Sequence, residues 1–276
     1  MNSQTDDPTS VRHYGSGPSQ FGLLQVPRGP EDPVETGRFP VLVVLHGGYW
    51  LAERGVDTAP TQRIVDACRG LPIATWNLEY RRLGETGCRW PDTLSDVGRG
   101  IDFLRTLATD HPLDLERVGV VGHSAGGQLA LWSAGRSHIA RDSELWVEDP
   151  LQPAGVVSLA GITDLERAFF GGLGDDSVTP RLMEGPPDEF PARYAAASPT
   201  RLLPACCPVI LLHGTKDEAV ALEQARLYTQ AAETADSECE LVVLDGADHD
   251  ALLEPDQTEW KKTWEALVRV GGVPNA

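Results

Sequence analysis

The sequence predicts an α/β fold, a mostly parallel central sheet with helices on both faces and a short lid inserted late in the chain. Three observations predict it. Runs rich in Val, Ile and Leu are almost continuously apolar instead of alternating, which marks strands buried on both faces. Amphipathic stretches long enough for helices separate them, and Gly, Pro or Asp bounds each run.

The elements follow in order. Residues 40–45 read as a buried strand ending at His46-Gly47-Gly48, then a helix over 58–69 and a strand over 72–78. Leu94, Val97, Ile101, Leu104 and Leu107 step by three and four, so they form one apolar stripe on a helix starting near Pro91-Asp92. That stripe is core. Residues 117–121 form the next strand, followed at once by Gly122-His123-Ser124-Ala125-Gly126-Gly127 and a helix over 128–136. Later strands fall at 155–160, 208–213 and 240–245, with helices at 219–232 and 257–270. Between 161 and 207 the pattern breaks into Gly- and Pro-rich pieces with patches such as Ala168-Phe169-Phe170. So long a stretch without strand character suits a lid.

At 276 residues the chain sits near the upper end of what one core accommodates. A single domain is expected over 21–276, with the lid region at about 161–207, after a polar segment 1–20 expected to be loosely held. Asp plus Glu count 41 against 23 Lys plus Arg, a formal net charge of -18. Such a surface repels phosphate backbones and anionic lipid, which argues against nucleic-acid and membrane partners. No run approaches the ~18 apolar residues of a spanning helix. Residues 1–20 lack a basic head and an apolar stretch, so a cytoplasmic location is expected. Cys68, Cys88, Cys206, Cys207 and Cys239 are scattered, without the spacing of a zinc site or a disulfide framework, and are expected as reduced thiols.

A serine hydroxyl needs a base within hydrogen-bond reach and a backbone that projects it toward substrate. Ser124 has the second: Gly122 and Gly126 remove the side chains that a sharp strand-to-helix turn would crowd. A G-x-S-x-G string alone is also what a plain glycine loop looks like; the flanking strand and helix make it a nucleophile elbow. The base must come late in the chain, where His249 follows the last strand and precedes the terminal helix. Asp217, just beyond the strand ending at His213-Gly214, is the acid that would orient it. Asp245, Asp248 and Asp250 are rivals by proximity, but residues adjacent along the backbone seldom meet through their side chains. His123 and His213 read as packing or backbone-bonding residues, while His13, His111 and His138 lie in poorly placed segments.

Acyl transfer also builds negative charge on the carbonyl oxygen, which needs donors fixed in advance. The backbone N–H of Ala125, at the start of the helix, is one candidate. Gly48 and Tyr49, in the loop His46 to Trp50, supply the others, with Gly47 as an alternative register. His46 reads as a structural hydrogen-bonding residue of that loop. Among aromatic residues, Trp50, Phe169 and Phe170 are the expected substrate contacts, with Tyr49, Trp90 and Tyr194 as further candidates for a flat pocket wall.

With these motifs in view, the chain resembles the α/β-hydrolase superfamily over residues 22–270, with nucleophile, acid and base in that family's order. HGGYW at 46–50, NLEYR at 77–81 and GHSAGG at 122–127 resemble the kynurenine formamidase and small carboxylesterase branch. The resemblance implies an α/β-hydrolase fold and a Ser-His-Asp triad that cleaves a small carboxylic ester or aryl formamide through an acyl-enzyme, with no metal and no cofactor. Feruloyl and acetyl esterases and prolyl oligopeptidase-like peptidases share similar motifs. A peptidase of that kind, or a non-catalytic ligand-binding protein on the same fold, therefore stands as the alternative. The expected partner is a small-molecule ester or amide substrate. The oligomeric state stays open, a homodimer included.

Overall fold

The computed structural model describes residues 9–27, 37–171, 173 and 178–274. Among the described residues, eight strands form one sheet: β1 (Ser10–His13), β2 (Phe21–Gln25), β3 (Phe39–Leu45), β4 (Ala74–Leu78), β5 (Leu113–His123), β6 (Gly155–Leu159), β7 (Val209–Gly214) and β8 (Cys239–Leu244). Their order is β1-β2-β4-β3-β5-β6-β7-β8. Pairing from β4 through β8 is parallel, while β1 and β2 add an antiparallel edge. This is the α/β-hydrolase architecture.

The helices are α1 (Gln62–Ala67), α2 (Asp92–Asp102), α3 (Leu104–Leu107), α4 (Ala125–Gly135), α5 (Leu165–Phe170), α6 (Val178–Met183), α7 (Pro191–Ala197), α8 (Glu223–Thr234) and α9 (Thr258–Val270). Side chains alternate across a strand, and β3 divides the core accordingly. Val41, Val43 and Leu45 join one cluster with α2, α4 and α8. Leu42 and Val44 join the other, with Ile64 and Val65 of α1 and Leu267 of α9. Every residue of α4 is buried, so the helix after the elbow is packed on all sides.

Two expectations are revised. Of the polar segment 1–20, residues 1–8 lie outside the described residues, but Ser10–His13 pair with β2 and extend the sheet. The segment 161–207 holds α5, α6 and α7 and, among its described residues, no strand, yet none of those residues lines the cavity that contains Ser124. Residue 172 and residues 174–177 within it lie outside the described residues.

Close backbone approach fixes α9 against the sheet. A Cβ on Gly155 would lie 1.9 Å from the Val270 carbonyl oxygen, and one on Gly119 would lie 2.0 Å from that of Gly271. Neither neighbour is a flexible side chain that can swing aside. Gly155→Ala is therefore expected to destabilise the protein by about 1–3 kcal/mol, read as a lowered melting temperature. An unchanged melting temperature would contradict this packing.

Candidate active site

Parallel strands place their following loops along one edge, where ligands bind in sheets of this type. The loops after β3, β5, β7 and β8 carry His46 to Trp50, Ser124, Asp217 and His249 respectively. Gly47, Gly48, Tyr49, His123, Ser124 and His249 together line a cavity of about 510 Å³.

Ser124 sits at φ 57°, ψ −121°, directly before α4. A left-handed φ at a non-glycine residue costs about 1–3 kcal/mol and persists only where the surroundings enforce it. Here they do: a Cβ at Gly122 would lie 2.0 Å from the Gly126 carbonyl oxygen, and one at Gly126 would lie 2.2 Å from that of Leu45. The Ser124 N–H donates to the Leu159 carbonyl at 2.8 Å, and its own carbonyl accepts from Gln128 N–H at 3.1 Å. Its side chain does not cap α4, so the hydroxyl is left to the cavity. Among the described residues that hydroxyl forms no hydrogen bond, His249 included.

His249 Nδ1 lies 2.7 Å from Asp217 Oδ2. Since an ionised carboxylate only accepts, Nδ1 carries the proton and Nε2 keeps its lone pair. The Asp217 side chain is fully buried and still holds its charge. Burial raises its pKa, but hydrogen bonds from His213, His249 and the Val220 N–H outweigh that and bring it well below the usual carboxylate range. Oδ1 accepts from the N–H groups of Ala219 and Val220 at 2.9 and 2.8 Å. His213 Nε2 lies 2.8 Å from the Val220 carbonyl oxygen and 3.2 Å from Asp217 Oδ2. The acidic rivals stay apart; Asp248, for one, uses Oδ1 to accept from the N–H groups of Asp250 and Ala251.

The loop after β3 runs beside the elbow. A Cβ on Gly47 would meet Ser124 Cβ at 3.1 Å, and Gly48, Tyr49 and Trp50 all have positive φ. His46 braces this loop from beneath: Nδ1 faces the Gly47 carbonyl at 2.8 Å and Nε2 faces Glu79 Oε1 at 2.9 Å. Its ring stacks on Tyr80 with centroids 4.3 Å apart. Tyr80 hydroxyl donates to the His46 carbonyl at 2.7 Å. Glu79 is buried, which works against its charge, but His46 and Arg82 bring its pKa below the ordinary value. Arg82 also donates to the Arg54 carbonyl. NLEYR thus buttresses HGGYW.

The sequence matches the BD-FAE family over residues 31–231. The chain belongs to that family. Esterase LipC of Mycobacterium tuberculosis is 27% identical to this BD-FAE chain over 247 residues, covering 86% of it and 58% of LipC. A probable isoprenylcysteine alpha-carbonyl methylesterase, ICMEL1 of Oryza sativa subsp. japonica, is 26% identical over 265 residues, covering 88% and 57%. The chain therefore spans less than three-fifths of either relative. Among solved structures, Thermogutta terrifontis esterase 2 phosphonylated by sarin superimposes with a TM-score of 0.76 at 23% identity, covering 100% of both chains. A bifunctional GH43-CE protein of Bacteroides eggerthii gives 0.78 at 19% identity, covering 96% of this chain and 38% of the other. These two structures speak for the fold.

Three aromatic residues of the BD-FAE chain lie elsewhere than expected. Trp50 is wholly buried, and its indole N–H donates to Gln128 Oε1 on α4 at 3.2 Å. It ties the HGGYW loop to α4 and packs in the core, whereas its neighbour Tyr49 lines the cavity. Phe169 packs partly buried against Phe170 and Tyr194, while Phe170 is 75% exposed. Neither lines the cavity of Ser124. Sequence reasoning in turn missed Arg54, Arg63 and Glu254, which do line it. Arg63 bonds Glu254 at 2.6 Å and the Leu253 carbonyl at 3.2 Å. No local pattern marks such a bridge between α1 and the histidine loop.

Two outcomes are expected. Trp50→Phe strands the Gln128 oxygen and should cost about 1–2 kcal/mol of stability while leaving the relative rates on different substrates unchanged; an altered substrate profile would return Trp50 to the pocket wall. Asp217 has a folded pKa below its unfolded value of about 3.9, so the stability it confers is complete above that value and disappears as pH falls through the folded pKa. In acid titrations of stability, the gap between wild type and Asp217→Asn should narrow below about pH 4. A constant gap would show that Asp217 is not held ionised by folding.

Proposed function

We propose that the chain is a serine hydrolase that cleaves a small carboxylic ester through an acyl-enzyme, with Ser124 as nucleophile, His249 as base and Asp217 as the group orienting the base. The observation that carries this reading is the 2.7 Å His249–Asp217 bond beside a serine held at a positive φ on the same cavity. A volume of about 510 Å³ suits a small molecule.

In the first half-reaction, Ser124 Oγ bonds the ester carbonyl carbon as its proton passes to His249 Nε2. The developing oxyanion is held by backbone N–H groups of Ala125 and of Gly48 and Tyr49. Ala125 opens α4, so its N–H has no partner within the helix and sits at the positive end of the helix dipole. Collapse expels the alcohol, which takes the proton from Nε2. Water then repeats the sequence on the acyl-serine and releases the acid. Asp217 stays ionised throughout and stabilises the imidazolium. The Ser124–His249 hydrogen bond forms in the substrate complex, where catalytic contacts close.

An aryl formamide would use the same steps with an arylamine as leaving group. Ester cleavage is the preferred reading, because relatives of this chain are named esterases. Parallel assays with a p-nitrophenyl short-chain ester, N-formylkynurenine and an aminoacyl anilide separate esterase, formamidase and peptidase. The ester is expected to be turned over fastest. Ser124→Ala should lower turnover by about four to six orders of magnitude and abolish labelling by a fluorophosphonate probe. A folded Ser124→Ala protein with wild-type turnover would refute the assignment, and an unlabelled wild type would favour a ligand-binding role.

A further inference from the structure

The elbow carries one more functional group than the proposed reaction uses. His123 stands between Gly122 and Ser124 and is buried. Its ring points toward the loop after β8, where Nε2 lies 2.8 Å from the main-chain oxygen of His249. A carbonyl oxygen only accepts, so Nε2 carries the proton. The two imidazole rings have centroids 4.6 Å apart and are tilted by 49°.

The loops holding Ser124 and His249 start from β5 and β8, with β6 and β7 between them. Three strand spacings separate their roots, roughly 14 Å. Without a cross-link, the nucleophile-to-base distance would depend on every packing contact along that path. Asp217 grips the ring of His249 at Nδ1, which sets its tautomer and rotation, and the Lys216 N–H holds the Ala247 carbonyl at 2.9 Å two residues earlier, but neither contact is made to the His249 main chain. Asp248 ties only the residues that follow, through Asp250 and Ala251.

We propose that His123 is a positioning residue: by holding the His249 carbonyl from the position next to the nucleophile, it sets the separation between Ser124 Oγ and His249 Nε2. The inference rests on the proposed triad. Burial first, and then the neighbouring His249, push the His123 pKa down to about 4. Above that pH the ring is neutral, and it does not oppose the positive charge that His249 must accept.

The test compares His123→Phe, which keeps a ring without a donor, with His123→Gln, whose amide N–H extends about as far as Nε2. The Phe variant should lose about 10- to 100-fold in kcat with KM changed less than about threefold. The Gln variant should recover most of that loss. A folded Phe variant with wild-type kcat, or a Gln variant as impaired as Phe, would overturn the proposal. Should the Phe variant not fold, ¹⁵N NMR of histidine-labelled wild type decides. A neutral Nε2–H tautomer for His123 at pH 7 is expected, and an Nδ1–H tautomer or titration near the ordinary value would overturn it. Ser124→Ala keeps the two ideas apart. If that variant is inactive while His123→Phe is unimpaired, only the positioning role fails; if Ser124→Ala is active, the triad itself fails.

Discussion

Everything at this site depends on the close backbone approach at the turn from β5 into α4. Gly122 leaves no room for a Cβ against the Gly126 backbone, and Gly126 none against Leu45 and His46 at the end of β3, and this compression holds Ser124 at φ 57°. The cost of that conformation is met by the surrounding core. Every residue of α4 is buried, and the Ser124 N–H is tied to β6 through Leu159. Strain at one residue is tolerable because the neighbouring strands allow no alternative path for the chain.

Around this point the loops are held by polar contacts that act in pairs. His46 and Glu79 fix the loop after β3, while Trp50 and Gln128 connect it to α4. Asp217 is fixed by two backbone N–H groups and His213 before it meets His249. The loop after β3, Ser124 and the Asp217–His249 pair are thus each placed by more than one contact. Preorganisation of this kind gives electrostatic stabilisation without rearrangement during reaction.

Much of this was legible in the sequence, for physical reasons that differ between elements. β3 and β5 were readable because buried parallel strands are continuously apolar, and Ser124 because the elbow's glycines are a local requirement. That Asp217 and His249 meet could be anticipated from their places after successive strands. β1 was missed because a short polar edge strand has no apolar signature. Glu79, Gln128 and Arg63 were missed because their partners lie far away in sequence. Trp50 shows a further limit: residue type identifies a large apolar ring, but only its packing, here against Gln128 of α4, tells which way it faces. The described residues of 161–207 form helices and turns, and their relation to the cavity depends on packing that no periodicity encodes.

Covalent acylation of Ser124 can be observed by rapid-quench peptide mass spectrometry. The protein is mixed with p-nitrophenyl acetate and quenched in acid within the first turnover. An acetyl group is expected on the peptide containing Ser124, localised to that residue by fragmentation. Hydrolysis of the ester with no acylated serine at any quench time, or with the acetyl group on a different residue, would contradict it.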